Sequence, residues 1–127
     1  MNESEIAAGL SQTSNYRYAQ RVGGRLFVAG QVPRDGSGNV VGEGDAAAQA
    51  RQCLQNLFTV IDHHGFSRND IRQLTIYVVG EHSNLIDAWN EVAETFDMEV
   101  PPATLLGVNL LGYRGQLVEI DAQIARD

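Results

Sequence analysis

A proline pair, Pro101-Pro102, constrains this chain more than any other local feature. Proline cannot continue a helix, and it holds the residue before it in extended conformation. A helix must therefore end before Pro101, and an extended run must follow. The run from Thr104 to Leu110 supplies a strand, and the residues from Gly112 to Gln116 turn the chain. Leu117 to Ile124 then return as a second strand. Side chains alternate along a strand. Val118, Ile120, Ala122 and Ile124 therefore share one face, and Glu119, Asp121 and Gln123 the other. A carboxylate so placed faces either solvent or a pocket.

The same reading extends back along the chain. Arg17 to Val22 and Arg25 to Val32 read as two strands meeting at Gly23-Gly24, a tight-turn pair. Pro33 ends the second, and Arg34 to Gly44 is a glycine-punctuated loop without the ligand spacing of a calcium-binding EF-hand. Asp45 is placed to cap a helix running to about His64 and closed by Gly65, with Ala50, Cys53, Leu54, Leu57, Phe58 and Ile61 as its apolar stripe. A strand over Leu74 to Val79 follows. A second helix, capped by Ser83 or Asn84, buries Ile86, Trp89, Val92, Ala93 and Phe96. The first 14 residues are polar and aperiodic, and read as a loosely held arm.

The order β-β-α-β-α-β-β in 127 residues predicts one α+β domain, residues 1–127, with a single mixed sheet. Two helices can cover only one face of that sheet. The strands centred on Val28, Tyr77 and Leu106 are apolar on both faces, so other copies of the chain are expected against the open side.

Charge and composition narrow the function. The net charge is −7, and all nine basic residues are arginine, which argues against nucleic acid or an anionic membrane as the main partner. Without lysine no Schiff-base mechanism is open. The first ten residues lack the basic-then-apolar pattern of a secretory signal, and no apolar run approaches the ~20 residues that span a bilayer. A cytoplasmic location is the expectation. Cys53, the only cysteine, sits at core spacing in the first long helix. His63 and His64 are adjacent and diverge, so no metal site is expected.

Phe27-Val28-Ala29-Gly30-Gln31-Val32-Pro33, Asn56-Leu57, Pro102-Ala103 and Val118-Glu119-Ile120-Asp121-Ala122 together resemble the reactive intermediate deaminase (Rid, or YjgF) family, over Tyr16 to Ala125. The resemblance implies a chorismate-mutase-like subunit, a homotrimer, and small-molecule clefts between subunits. It also implies hydrolysis of imines or enamines such as 2-aminoacrylate to a 2-oxo acid and ammonia, without metal or cofactor. Carried over, the water-positioning glutamate falls on Glu119. The cleft tyrosine falls on Tyr16, or on Tyr18 with a small deletion. Gly30 and Gln31 supply the matching strand end. The substrate-binding arginine falls on Thr104, as in a sub-branch lacking that arginine, and Leu106 shares a strand face with it.

A threonine hydroxyl cannot replace a guanidinium fork on a carboxylate, and losing such a contact costs about 1.5–3 kcal/mol. Two functions follow as expectations: a metal-free deaminase with a non-standard substrate, or a trimer that binds a metabolite without turning it over. Ribonuclease activity, a third idea, fits poorly with the acidic charge.

Overall fold

The computed structural model describes residues 1–127. A short helix α1 (Glu3–Ala7) precedes a hairpin of β1 (Ala19–Val22) and β2 (Arg25–Val28). Then come α2 (Ala46–His63), a 3-10 turn at Arg68–Asp70, β3 (Ile71–Val79), α3 (His82–Thr95), β4 (Ala103–Val108) and β5 (Val118–Ala125). The five strands form one sheet in the order β1-β2-β5-β3-β4. Only β3 and β4, which α3 connects, run parallel. The sheet is mixed and the class α+β, as the sequence predicts.

Local chemistry explains the main boundaries. Val22 pairs with Arg25, leaving Gly23-Gly24 as the two-residue turn. Gly24 must be glycine because a Cβ there would lie 2.1 Å from the Arg126 carbonyl oxygen, whose strand end packs on the turn. The Asp45 carboxylate accepts the Ala48 N–H at 3.0 Å, capping α2. Gly65 follows the helix with φ +81°, a left-handed conformation that glycine adopts without cost.

The core lies between the sheet and the two long helices. Val118, Ile120, Ala122 and Ile124 of β5 join Leu74, Ile76 and Val78 of β3 and Leu26 of β2. Against them pack Ala50, Cys53, Leu54, Leu57 and Ile61 of α2 and Ala88 and Val92 of α3. The predicted β5 alternation therefore holds along its whole length. Cys53 is fully buried, and burial pushes its thiol well above the ordinary value.

Three expectations need correction. The first 14 residues are not a loose arm. Asn2, Glu5, Leu10, Ser11 and Thr13 are buried, and a Glu5 carboxylate oxygen lies 2.7 Å from His64 Nε2 at the end of α2. The Tyr18 hydroxyl donates to the Ser11 carbonyl at 2.7 Å. Polar groups satisfied in pairs hold this segment, so no hydrophobic period reveals it. Secondly, α3 begins at His82. Asn84 does not cap it but donates from its side chain to the Val79 carbonyl at 3.0 Å, tying the helix to the end of β3. Thirdly, Ile86 is 51 % exposed, because the buried stripe of α3 runs through Ala88, Val92 and Ala93 instead.

The opposite face of the sheet carries no helix. Glu119 pairs across β3 with Tyr77, which pairs with Leu106 of β4; Asp121 pairs with Thr75, and Thr75 with Thr104. Phe27 and Leu106 are exposed on this face, at 52 % and 37 %. No helix is long and apolar enough to cross a membrane.

Candidate functional site

Glu119 occupies the second position of β5, on the open face, where the strand passes the end of β2. Its neighbour there is Gly30. Gln31 and Ile120 exchange backbone hydrogen bonds at 2.7 and 3.0 Å, which presses the chain after β2 against β5. A Cβ on Gly30 would lie 2.3 Å from a Glu119 carboxylate oxygen. Glycine is therefore what lets the carboxylate lie flat against this backbone.

Glu119 is half-buried. Burial pushes its carboxyl above the usual carboxylate range, and the charge of Asp121 adds to this, against a hydrogen bond from Gln116. The Gln116 amide donates to the carboxylate at 3.3 Å and to the Val118 carbonyl at 3.0 Å. Its oxygen accepts the Tyr113 N–H at 3.1 Å. Gln116 thus ties Glu119 to the Gly112–Gln116 turn. From the other side, Gln49 of α2 accepts the Leu117 N–H at 2.6 Å and donates to the Gly115 carbonyl at 2.9 Å. Gln49 is fully buried, so the turn rests on the helix layer.

A cleft of about 370 Å³ opens over Glu119, lined by Ser14, Tyr16, Ala29, Gly30, Val32, Gly112, Tyr113 and Glu119. Tyr16 and not Tyr18 lines it, since Tyr18 is buried against Leu10 and Val60. Burial, and after it the neighbouring Tyr113 phenol, push the Tyr16 hydroxyl above its ordinary value. Burial acts the same way on Tyr113. The neighbouring Ser14 and Tyr16 hydroxyls and the Arg34 guanidinium together outweigh it, leaving Tyr113 below the ordinary value. Arg34 Nη1 donates to the Tyr113 hydroxyl at 3.0 Å, and the guanidinium lies 4.6 Å from the centre of the ring.

Of the residues singled out from the sequence, Glu119, Tyr16 and Gly30 converge on one cleft. Gln31 adjoins it without lining it: the side chain is buried and donates to the Ala29 carbonyl at 2.8 Å. Thr104 and Leu106 lie on β4, separated from β5 by β3, roughly 10 Å away at the usual strand spacing. Within one chain they share the open face with Glu119 but do not reach the cleft.

Tyr113, Arg34, Gln116 and Gln49 were not legible as site residues. Arg34 stands in what reads as a plain loop, and Tyr113 in what reads as a plain turn. Asn56 orders the loop by donating to the carbonyls of Val32 and Arg34 at 3.0 Å each. A glutamine on the apolar side of the first turn of α2 was the one available signal for Gln49. No group of three or more His, Cys, Asp or Glu side chains is arranged to hold a metal ion.

Residues 7–126 match the family described as Endoribonuclease L-PSP. A RutC family protein of Pyrococcus horikoshii is 34% identical over 108 residues, covering 84% of this chain and 83% of the relative. The 2-iminobutanoate/2-iminopropanoate deaminase of Salmonella typhimurium is 36% identical over 63 residues, covering 48% of each chain. Among solved structures, YyfA of the Rid family from Yersinia pestis superposes with a TM-score of 0.81 at 27% identity, covering 91% of each chain. The YjgF gene product of E. coli gives 0.82 at 23% identity, covering 94% of each chain. Sequence match and fold agree, and the chain belongs to the Rid/YjgF (L-PSP) family.

Proposed function

We propose that the Glu119 cleft hydrolyses an imine or enamine metabolite to a carbonyl compound and ammonia, and that its substrate is not the small 2-imino acid of related deaminases. The observation that carries this reading is the half-buried Glu119 carboxylate lying against the bare backbone of Gly30. A carboxyl raised by burial exchanges a proton near neutral pH more readily than an exposed one. Glu119 takes a proton from water as the oxygen adds to the carbon of the protonated imine, and the C=N electrons come to rest on nitrogen as a neutral amine. Glu119 returns that proton to nitrogen as the C–N bond of the carbinolamine breaks. The carbinolamine O–H proton passes to the departing ammonia as C=O forms, so the carboxylate is restored and ammonium leaves. An enamine substrate enters the same route after protonation at carbon.

Thr104 supports a non-standard substrate. The Rid resemblance places a carboxylate-binding arginine there, and no guanidinium lines the cleft in its place. The open sheet face, with Phe27 and Leu106 exposed on it, supports assembly as a homotrimer with the cleft at subunit junctions. Thr104 and Leu106 would then wall a neighbouring copy's cleft. The missing cation favours a second reading, in which the trimer binds a metabolite and does not turn it over.

Ammonia release from 2-aminoacrylate generated in situ, and from imines lacking a carboxylate, separates these readings. Hydrolase function predicts turnover of a carboxylate-free imine, its loss in Glu119→Gln, and gained 2-aminoacrylate activity in Thr104→Arg. Saturable ligand binding with no product from any imine would establish the binding reading instead.

A further inference from the structure

Tyr113 is the one cleft hydroxyl backed by a fixed cation. Arg34 Nη1 donates to it at 3.0 Å, and the same guanidinium is held in place by the Gly38 carbonyl, which accepts from Nε at 3.0 Å. Arg34 has no carboxylate partner among the ion pairs of the chain. Nη1 also donates to the Gln12 carbonyl at 3.4 Å, so the phenol is the one titratable group the guanidinium hydrogen-bonds. The Arg34 backbone is fixed in turn by Asn56. Tyr16 lines the same cleft wall as Tyr113. Gln116 locks the Tyr113 backbone to the Glu119 carboxylate, so base and phenol stand on one braced turn.

Imine hydrolysis needs two proton positions. One group must take a proton from water, and another must give one to nitrogen as the C=N electrons shift onto it. Glu119 supplies the first. We propose that Tyr113 supplies the second, as a general acid whose phenolate is held by Arg34, an inference that rests on the hydrolase reading above. As water adds, the C–O bond forms, Glu119 gains the water proton, and nitrogen takes the Tyr113 proton. In the second half the Glu119 proton passes to nitrogen and the C–N bond breaks. The carbinolamine O–H proton returns to the Tyr113 phenolate as C=O forms. Both residues end as they began, and imine plus water has become carbonyl plus ammonia.

Arg34 acts through Tyr113 and is a positioning residue. The charged or titratable groups that act on the phenol are Arg34 from the loop after β2 and Tyr16 and the buried Tyr18 from the N-terminal segment; the Glu119 charge of β5 acts on Tyr16. Arg34 is the only cation in this set, and it favours the phenolate. A tyrosine acid also predicts a basic limb in the pH–rate profile, since activity falls as Tyr113 loses its proton.

Two measurements on the full chain test this. In near-ultraviolet titration, wild type should show one tyrosine ionising below its ordinary value. Tyr113→Phe should remove that transition, and Arg34→Gln should move it to higher pH. In ammonia release from a carboxylate-free imine, Tyr113→Phe should lose about 100-fold or more in kcat and lack the basic limb. Arg34→Gln should keep the limb, displaced to higher pH. Survival of the early phenolate in Tyr113→Phe would overturn the inference. So would full turnover in Tyr113→Phe alongside a dead Glu119→Gln, which sinks the acid and leaves the hydrolase. No turnover of any imine by wild type sinks both.

Discussion

A single missing side chain sets the geometry of the cleft. Gly30 has no Cβ, and the Glu119 carboxylate occupies the space one would take. Because the obstacle is the far end of a flexible side chain, Gly30→Ala should fold. The added methyl should turn the carboxylate off the backbone, lowering kcat at least ~10-fold while Tm shifts by only a few degrees. Equal loss of Tm and activity would instead mark Gly30 as a folding residue. At this scale the sequence was informative wherever one residue carries one role. Glu119, Tyr16 and Gly30 meet as the Rid resemblance implies. Tyr113 and Arg34 do not show in the sequence, because their partnership spans 79 positions and joins two segments that each read as irregular. Thr104 and Leu106 share a strand face, as the sequence alternation gives, but a strand face does not specify which cleft it walls.

Elements bounded by glycine, proline or a capping aspartate were readable to within a few residues. Asp45 caps α2, Gly23-Gly24 turns the first hairpin, and β5 alternates as its pattern requires. The N-terminal segment was not readable, since it is held by polar pairs rather than by an apolar stripe. Its anchor is Glu5; burial pushes its carboxyl up, but the His64 hydrogen bond together with those from its own backbone N–H and Ser4 outweigh that burial and hold the carboxyl below the usual range. A lowered value in the folded state means that stability is gained above the ordinary carboxylate range and lost as pH falls through the lowered value. Replacing Glu5 by Gln should therefore cost about 1–3 kcal/mol at neutral pH. The difference from wild type should shrink in acid. Urea melts at two pH values, with hydrogen exchange of the first 18 residues, would check this. An equal gap at both would exclude the ion pair as its source. Since Ser14 and Tyr16 continue from this segment into the cleft, its release should also loosen the cleft wall.

For the whole molecule, the two-layer arrangement was legible because the order β-β-α-β-α-β-β gives one sheet and two helices, enough to cover only one of its faces. The half-buried Glu119 and Asp121, both raised by burial, share the bare face with Phe27 and Leu106. If copies assemble there, size-exclusion chromatography with light scattering should give about three times the chain mass of 13.9 kDa. Leu106→Asp should drive that particle toward one chain. A wild type that runs as one chain at low concentration would refute assembly through this face. The two hydrogen bonds from Gln49 have a consequence for engineering. The turn that carries Tyr113 and leads into Glu119 takes its shape from a buried glutamine on a helix 66 residues earlier in the chain. Grafting β4, the turn and β5 onto another sheet would copy the residues of the cleft without their scaffold. Transplanting the site would require moving both layers together.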